Sequence, residues 1–244
     1  MKAIKTTGLS KYYKNLLAID SLDLEINQGE LFSLLGVNGA GKTTTIKCLS
    51  CLSKPSSGDA IILGKSILNN VFDVKDLISV SPQETAVAPN LSVLENLEFI
   101  IGVNGFKKED VTQKSRDMIM LFKMEEIENI KAKKLSGGWQ RRLSIAMALI
   151  NEPKILFLDE PTLGLDVIAR RELWGIIKNL KKKMTIVLTT HYMEEAEALS
   201  DRIGIMSKGK LVALGTAKEL IAKTKSKNFE DAFISIASEG GKTK

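Results

Sequence analysis

Residues 36–43 read Gly-Val-Asn-Gly-Ala-Gly-Lys-Thr and directly follow the apolar run Leu31–Leu35, which has the composition of a buried strand. A helix is predicted next, over 44–52. Glycines allow consecutive backbone N–H groups to turn toward one point, and the positive end of a helix favours an anion there. A loop of this spacing between a strand and a helix is the Walker A pattern, which predicts a phosphate-binding loop. A glycine-rich surface turn is the weaker alternative.

This loop supplies both backbone and side-chain groups to a nucleoside triphosphate. Lys42 is expected to reach the β- and γ-phosphates, and the Thr43 hydroxyl is expected to bind Mg²⁺. The residues predicted to bind the nucleotide here are Gly36, Asn38, Gly39, Ala40, Gly41, Lys42, Thr43 and Thr44.

Two cysteines on the predicted helix, Cys48 and Cys51, have the C-x-x-C spacing of redox and metal sites. They lie one turn apart, beside the apolar residues Ile46, Leu49 and Leu52. Packing as small apolar side chains is therefore the favoured interpretation.

Two carboxylates end the hydrophobic run 155–158, in the Walker B arrangement: Asp159 and Glu160. Ligands of an open α/β sheet bind beyond the carboxyl ends of its strands, so these side chains should meet the phosphate loop. Asp159 is predicted to hold Mg²⁺ through a water, and Glu160 to accept a proton from an attacking water. An acidic helix cap is the alternative.

Two further candidate site residues, His191 and Gln83, also follow predicted strands. The only histidine, His191, comes after the apolar run 185–190, and Gln83 comes after the run 78–80. A lone histidine at a strand end is usually structural, but here it shares the edge of the carboxylates, and contact with a γ-phosphate is predicted. Gln83 taken by itself would be an ordinary turn residue.

A second anion site is suggested at 135–140, Leu-Ser-Gly-Gly-Trp-Gln, which precedes an amphipathic helix. Ser136 is a good N-cap residue, and two glycines follow it at the helix N-terminus. A merely capped helix explains this segment equally well from local features alone.

The composition is that of a globular protein: 244 residues, 44% hydrophobic and 26% charged, which excludes disordered, collagenous and disulfide-scaffold classes. No apolar run approaches the roughly 20 residues needed to cross a bilayer, and the N-terminus lacks a signal-peptide centre. A cytosolic location is expected. The net charge of +6 is concentrated in 107–142, which carries +4, so a broad nucleic-acid-binding surface is not expected.

The order of elements predicts an α/β core interrupted by helices. Strand and helix patterns alternate except between 92 and 150, where helical periods dominate over 93–103, 110–124 and 139–150. That block is predicted to be an all-helical insertion.

With these motifs in order, the sequence resembles the ATP-binding subunits of ABC transporters nearly end to end. The 135–140 segment separates this family from other P-loop NTPases. The resemblance implies a P-loop NTPase α/β fold with a mostly parallel sheet, an N-terminal antiparallel β subdomain and an inserted all-helical subdomain. The ATPase domain would be 1–220, with an α/β core at 1–84 and 152–220 and an insertion at about 85–151, and 221–244 would form a short C-terminal extension.

The resemblance also implies roles for individual residues. Tyr13 would stack on the adenine of ATP, with Tyr12 as the weaker candidate. Gln83 would sense Mg²⁺ and the attacking water, as a metal-site and catalytic residue beside Glu160 and His191. Ser136, Gly138 and Gln140 would contact ATP bound to the opposite subunit, and Gly137 is counted with them as nucleotide-binding. Asp166, in the 164–166 loop that couples the two halves of a dimer, would sit at the dimer seam and is also counted among the nucleotide-binding residues.

Segments 162–174 and 191–196 are similar to the export branch of the family, which moves drugs, polysaccharides or lipids outward. Trp139 and Val167 depart from the usual pattern but remove no catalytic group. The expected partners are a separate transmembrane permease subunit docking near 83–99, and a second ATPase copy or a sister subunit, at the cytoplasmic face of the membrane. The alternatives are a soluble ABC ATPase acting on nucleic acid or ribosomes, and a regulatory module without turnover, which conflicts with the presence of Glu160 and His191.

Overall fold

Two sheets and nine α-helices make up the part of the chain that the computed structural model describes, residues 1–240. The strands are β1 (Lys2–Tyr13), β2 (Leu16–Asn27), β3 (Leu31–Leu35), β4 (Ser57–Ile62), β5 (Lys65–Ser66), β6 (Ile78–Ser81), β7 (Ile155–Asp159), β8 (Thr185–Thr190), β9 (Arg202–Ser207) and β10 (Lys210–Gly215). The helices are α1 (Lys42–Leu49), α2 (Val71–Leu77), α3 (Val93–Val103), α4 (Lys108–Leu121), α5 (Gly137–Leu149), α6 (Val167–Leu180), α7 (Met193–Leu199), α8 (Ala217–Thr224) and α9 (Phe229–Gly240).

The central sheet has six strands in the order β10-β9-β3-β8-β7-β6. All neighbours in it are parallel except β10 and β9. Every residue of β3, β7 and β8 is buried, which explains why these strands read as continuous apolar runs rather than as alternating ones. Their carboxyl ends therefore lie side by side at one edge.

A second sheet is antiparallel and has the order β2-β1-β4-β5. Helix α1 lies between the two sheets, because Ile46 and Leu49 share one buried cluster with Ile4 of β1 and Phe157 of β7. This arrangement fixes the start of α1 next to the strand ends.

The opposite face of the central sheet is covered by helices. Leu97 of α3, Leu143 of α5 and Leu173 of α6 pack in one buried cluster with Leu156 and Leu188 of the sheet. A capping box at Ser92 starts α3. The predicted fold class, with its parallel core, antiparallel β part and helical insertion, is confirmed.

Element bounds differ from prediction where local geometry intervenes. Helix α4 ends at Leu121 rather than 124, because Lys123 has a φ of 54°, a left-handed conformation that helices do not continue through. Helix α5 begins at Gly137 rather than 139, so both glycines belong to its first turn.

The C-terminal helix α9 packs back on the core. Phe229 and Phe233 share a buried cluster with Ile205 of β9 and Leu220 of α8. Residues 241–244 of the predicted C-terminal extension lie outside the described residues. Within 1–240, none of the helices combines the length and the apolar character that a bilayer-spanning helix needs.

Candidate functional site

A cleft of about 400 Å³ opens at the carboxyl ends of the central strands. Predicted site residues that line it are Tyr13, Asn38, Gly39, Ala40, Gly41, Lys42, Thr43, Thr44, Gln83, Glu160 and His191. The cleft therefore brings the phosphate loop together with residues that follow three other strands. Its remaining lining residues were not predicted: Leu16, Leu17, Ala18 and Leu163.

The phosphate loop reaches α1 through a position that requires glycine. Gly41 has a φ of 103°, and a Cβ there would lie 2.4 Å from the carbonyl oxygen of Ala18. Helix α1 starts at the next residue, without an acidic side chain in its first turn. The loop thus presents the positive end of a helix to the cleft.

Lys42 is buried beneath this loop and is held at three points. Its Nζ donates to the carbonyl oxygens of Gly36, at 2.7 Å, and Val37, at 3.2 Å, and lies 3.3 Å from Glu160 Oε1. The ammonium is therefore fixed between the loop and the carboxylate that follows β7.

Asp159 and Thr43 form an oxygen-rich corner of the site. Thr43 Oγ1 donates to Asp159 Oδ1 at 3.1 Å, and the Thr189 hydroxyl donates to the same oxygen. Asp159 is buried and Thr43 is half-buried. Mg²⁺ bound with nucleotide prefers one or two protein oxygen ligands, with waters and phosphate oxygens completing its shell. The donor set at this corner fits that ion.

Glu160 stands next to Asp159 but points elsewhere, because its backbone has a φ of 49°, unusual for a residue other than glycine. Its N–H donates to both Thr189 O and Thr189 Oγ1 at 3.1 Å. The carboxylate reaches Lys42 with Oε1, and Oε2 lies 2.7 Å from His191 Nδ1. The structure thus joins the predicted base, lysine and histidine in one chain of contacts.

The aromatic and amide candidates stand at the mouth of the cleft. Tyr13 lines it, whereas Tyr12, its neighbour on β1, does not. Successive side chains of a strand point to opposite faces, which separates the two tyrosines. Gln83 is exposed, and its carbonyl oxygen accepts from Arg141 of α5.

Seven predicted residues do not line this cleft. Gly36 and Asp159 are hydrogen-bonded directly to lining residues, since Lys42 donates to Gly36 and Thr43 donates to Asp159. The other five form a separate group: Ser136, Gly137, Gly138, Gln140 and Asp166. They lie near one another at the starts of α5 and α6, since a Cβ on Gly138 would be 3.4 Å from Ala169 Cβ and 3.8 Å from Leu165 Cδ2. Ser136 occupies the N-cap position of α5, but its side chain makes no capping bond. The Gln140 amide donates to the carbonyl oxygens of Ala132 and Leu135.

Asp166 is the N-cap of α6. Its Oδ1 accepts from the backbone N–H groups of Ile168 and Ala169, both at 2.9 Å. The residue is exposed, so one carboxylate oxygen remains turned to solvent.

Two buried charged residues beneath the cleft were not predicted. Arg141 of α5 is 4% exposed, and Glu195 of α7 is fully buried. Both occur in helices, where charged residues usually lie on the solvated face. The only sequence signal for Glu195 is its position one helical turn after His191.

A P-loop on a mostly parallel sheet, with the Walker B carboxylates at the adjacent strand end, defines the chain as a nucleotide-binding P-loop ATPase domain. The family model described as "ABC transporter" matches residues 19–163, and the chain belongs to this family. The predicted resemblance is confirmed.

Individual relatives agree with this assignment. The chain is 45% identical over 205 residues to ABC transporter A family member 2 of Arabidopsis thaliana, covering 83% of the chain and 21% of that protein. It is 38% identical over 220 residues to the daunorubicin/doxorubicin resistance ATP-binding protein DrrA of Streptomyces peucetius, covering 90% of the chain and 67% of DrrA. The chain thus spans about a fifth of the length of the plant relative.

Solved structures of ABC cassettes have the same fold. The dimeric post-hydrolysis structure of the cassette MJ0796 with ADP and Pi has a TM-score of 0.79 at 27% identity, covering 87% of this chain and 98% of that one. The structure of cbiO1 from Clostridium perfringens, part of the ABC transporter complex cbiONQ, has a TM-score of 0.82 at 26% identity, covering 92% of both chains.

Proposed function

We propose that this ABC ATPase domain powers a transporter, most simply an exporter, by binding two ATP molecules between two cassettes and hydrolysing them. The observation that carries the proposal is the Glu160 carboxylate, fixed between Lys42 and His191 at the mouth of the phosphate loop. Binding and hydrolysis would use the same cleft.

The residues of the cleft have separable roles in this proposal. Loop amides and Lys42 would bind the phosphates, and Tyr13 would stack on the adenine. Thr43, Asp159 and Gln83 would hold Mg²⁺, which supplies charge neutralisation at the transferring phosphoryl group. Glu160 would accept the proton of the attacking water, because it is the carboxylate whose second oxygen is oriented by His191.

A second cassette would complete each site. Ser136, Gly137, Gly138, Gln140 and Asp166 lie together outside the cleft of their own chain, as expected of residues that contact the partner's ATP. The Ser136 hydroxyl makes no capping bond, which leaves it for a phosphate at the N-terminus of α5. The dimeric MJ0796 structure supports this arrangement. Either a homodimer or a pairing with a sister ATPase would satisfy it.

A separate membrane subunit would dock near 83–99, at the cytoplasmic face of the membrane. Phe99 is 57% exposed on α3, and Gln83 is exposed at the entrance of the cleft. This position would link the docking surface to the nucleotide. The relation of cbiO1 to a transporter complex and the resistance function named for DrrA support the transport and export parts of the proposal.

Affinity purification of the protein from solubilised membranes tests the membrane partner. Co-purification of a polytopic membrane protein is expected. Recovery of RNA or ribosomal protein in its place would contradict the transport proposal.

The Glu160→Gln variant tests the catalytic assignment. Loss of a general base lowers kcat by about 10²- to 10⁴-fold. Because glutamine keeps the shape of the side chain, ATP-dependent dimerisation, measured by size-exclusion chromatography, is expected to persist.

Glu125→Gln is the matched control, since Glu125 is exposed in the helical insertion and its change removes the same charge. Glu160→Gln turnover within twofold of this control would refute the role of Glu160.

A further inference from the structure

Helix α7 carries a fully buried carboxyl group, Glu195, one turn after His191. Its Oε1 accepts a hydrogen bond from Trp174 Nε1 of α6 at 3.0 Å. An unpaired buried carboxylate is costly, so this side chain needs further polar partners.

Two buried hydroxyl groups are close enough to interact with this carboxyl group. The carboxyl group of Glu195 interacts with the side chains of Thr162 and Thr190, both fully buried. Glu195 Oε2 and Thr162 Oγ1 each lack a hydrogen bond of good geometry, so a proton carried by Oε2 would serve both atoms.

Burial favours that proton, whereas the neighbouring polar and charged groups act in both directions. Burial raises the pKa of Glu195, the polar side chains of Thr190, Thr162 and Trp174 lower it, and the negative charge of Glu160 raises it. Arg141 of α5 is the positive group on this side. The net direction is upward, so the neutral acid, which can donate as well as accept, is the favoured form.

The partners of Glu195 belong to segments with different roles. Thr162 begins the loop that leads to Asp166, and Trp174 lies on the helix that Asp166 caps. Thr190 directly precedes His191, and its Oγ1 also accepts from the N–H of Tyr192 at 2.9 Å. One carboxyl group thus touches both the loop expected at the dimer seam and the strand end that carries His191.

We propose that Glu195 is a positioning residue for ATP hydrolysis: its carboxyl group fixes the 162–166 loop and His191 relative to each other. This inference rests on the roles proposed above for His191 and Asp166. Glu195 lines no part of the ATP cleft, and its effect would act through His191 and the loop.

Two substitutions separate hydrogen bonding from packing. Glu195→Gln keeps a neutral donor and acceptor of the same shape, and we expect it to retain at least about half of the wild-type kcat. Glu195→Met keeps similar volume without either function, and we expect kcat to fall about tenfold or more while KM for MgATP stays within about threefold, because misplaced catalytic groups act mainly on turnover. Wild-type kcat in Glu195→Met, or a Glu195→Gln variant as slow as Glu195→Met, would overturn the proposal.

Thr162→Val provides a second test should Glu195→Met not fold, as judged by circular dichroism. It removes only the hydroxyl that faces Glu195, and a loss of kcat of about tenfold at unchanged KM is expected. Thr112→Val, on the exposed face of α4, is its matched control, and equal kcat in the two variants would overturn the proposal.

Assaying the wild-type protein in the same experiment distinguishes failure of the proposed role of Glu195 from failure of the proposed function. Hydrolysis by the wild type with no loss in Glu195→Met overturns only the role of Glu195. Absence of hydrolysis in the wild-type protein, paired with whatever partner it requires, overturns the proposed function and this inference with it.

Discussion

Replacing Arg141 tests how much its hydrogen bonds to the segment after β6 contribute to the stability of the domain. Its guanidinium is 4% exposed, and it donates through Nη1 to the carbonyl oxygen of Pro82 at 2.6 Å and through Nη2 to that of Gln83. Burial lowers its pKa, whereas the charges of Asp159 and Glu195 raise it. Arg141→Met would keep most of the side-chain length and remove both bonds and the charge.

The expected loss follows from these contacts. Hydrogen bonds from a charged donor contribute about 1.5–3 kcal/mol each. Pro82 and Gln83 are exposed, so their carbonyl groups can return to water, and the variant no longer buries a cation. We therefore expect a net loss of about 2–3 kcal/mol, below the sum of two bonds. For a chain of this size, this lowers Tm by roughly 4–12 °C.

Thermal unfolding followed by circular dichroism measures this difference. Arg116→Met is the matched control, because Arg116 is exposed on α4 and its loss should change stability by less than about 0.5 kcal/mol. If the two variants unfold at the same temperature, Arg141 does not stabilise the contact between α5 and the segment after β6, and the reasoning from burial fails.

Further predictions concern two positions, Cys48 and Gly58. Burial raises the pKa of the Cys48 thiol to about 11, so iodoacetamide at pH 8 should label it only after unfolding, as mass spectrometry would show, and labelling of the folded protein would contradict this. Because this folded-state pKa exceeds the ordinary 9.0, the stability contributed by the protonated thiol should be lost between about pH 9 and 11, a loss that Cys48→Ala removes. Gly58→Ala should cost at least about 2 kcal/mol in urea unfolding, since its φ is 74° and a Cβ would lie 2.2 Å from Gly8 O. Gly64→Ala, with a φ of 85° and open space around it, should cost only about 1 kcal/mol, and equal losses would refute the steric argument.

The cleft could be predicted from sequence because each of its motifs is local. Apolar runs before Gly36, Asp159 and His191 indicated buried strands, and parallel strands end at a common edge. The short distances among Lys42, Glu160 and His191 follow from that rule together with strand order. The strand order could not be predicted, since no local sequence pattern indicates that β8 lies between β3 and β7.

The buried hydrogen bonds of Arg141 and Glu195 could not be predicted for a related reason. Arg141 reaches carbonyl groups 58 and 59 residues earlier in the chain, and Glu195 reaches Trp174 of another helix. Helical periodicity assigns charged residues to solvent, so only tertiary packing reveals their burial. The Ser136 hydroxyl also differs from prediction, because its residue type predicted a capping bond that its side chain does not make.

The hydrogen bond from Arg141 to Gln83 connects the start of α5 to the cleft. Arg141 lies in the first half of α5, and it donates to the backbone carbonyl oxygen of Gln83, a residue that also lines the cleft. A displacement of the Gln83 segment therefore moves the Arg141 contact or breaks it. Breaking it would leave a buried guanidinium without those acceptors, which is costly. Arg141 therefore couples the start of α5 to the Gln83 segment, even though residues 136–140 lie outside the cleft that Gln83 lines.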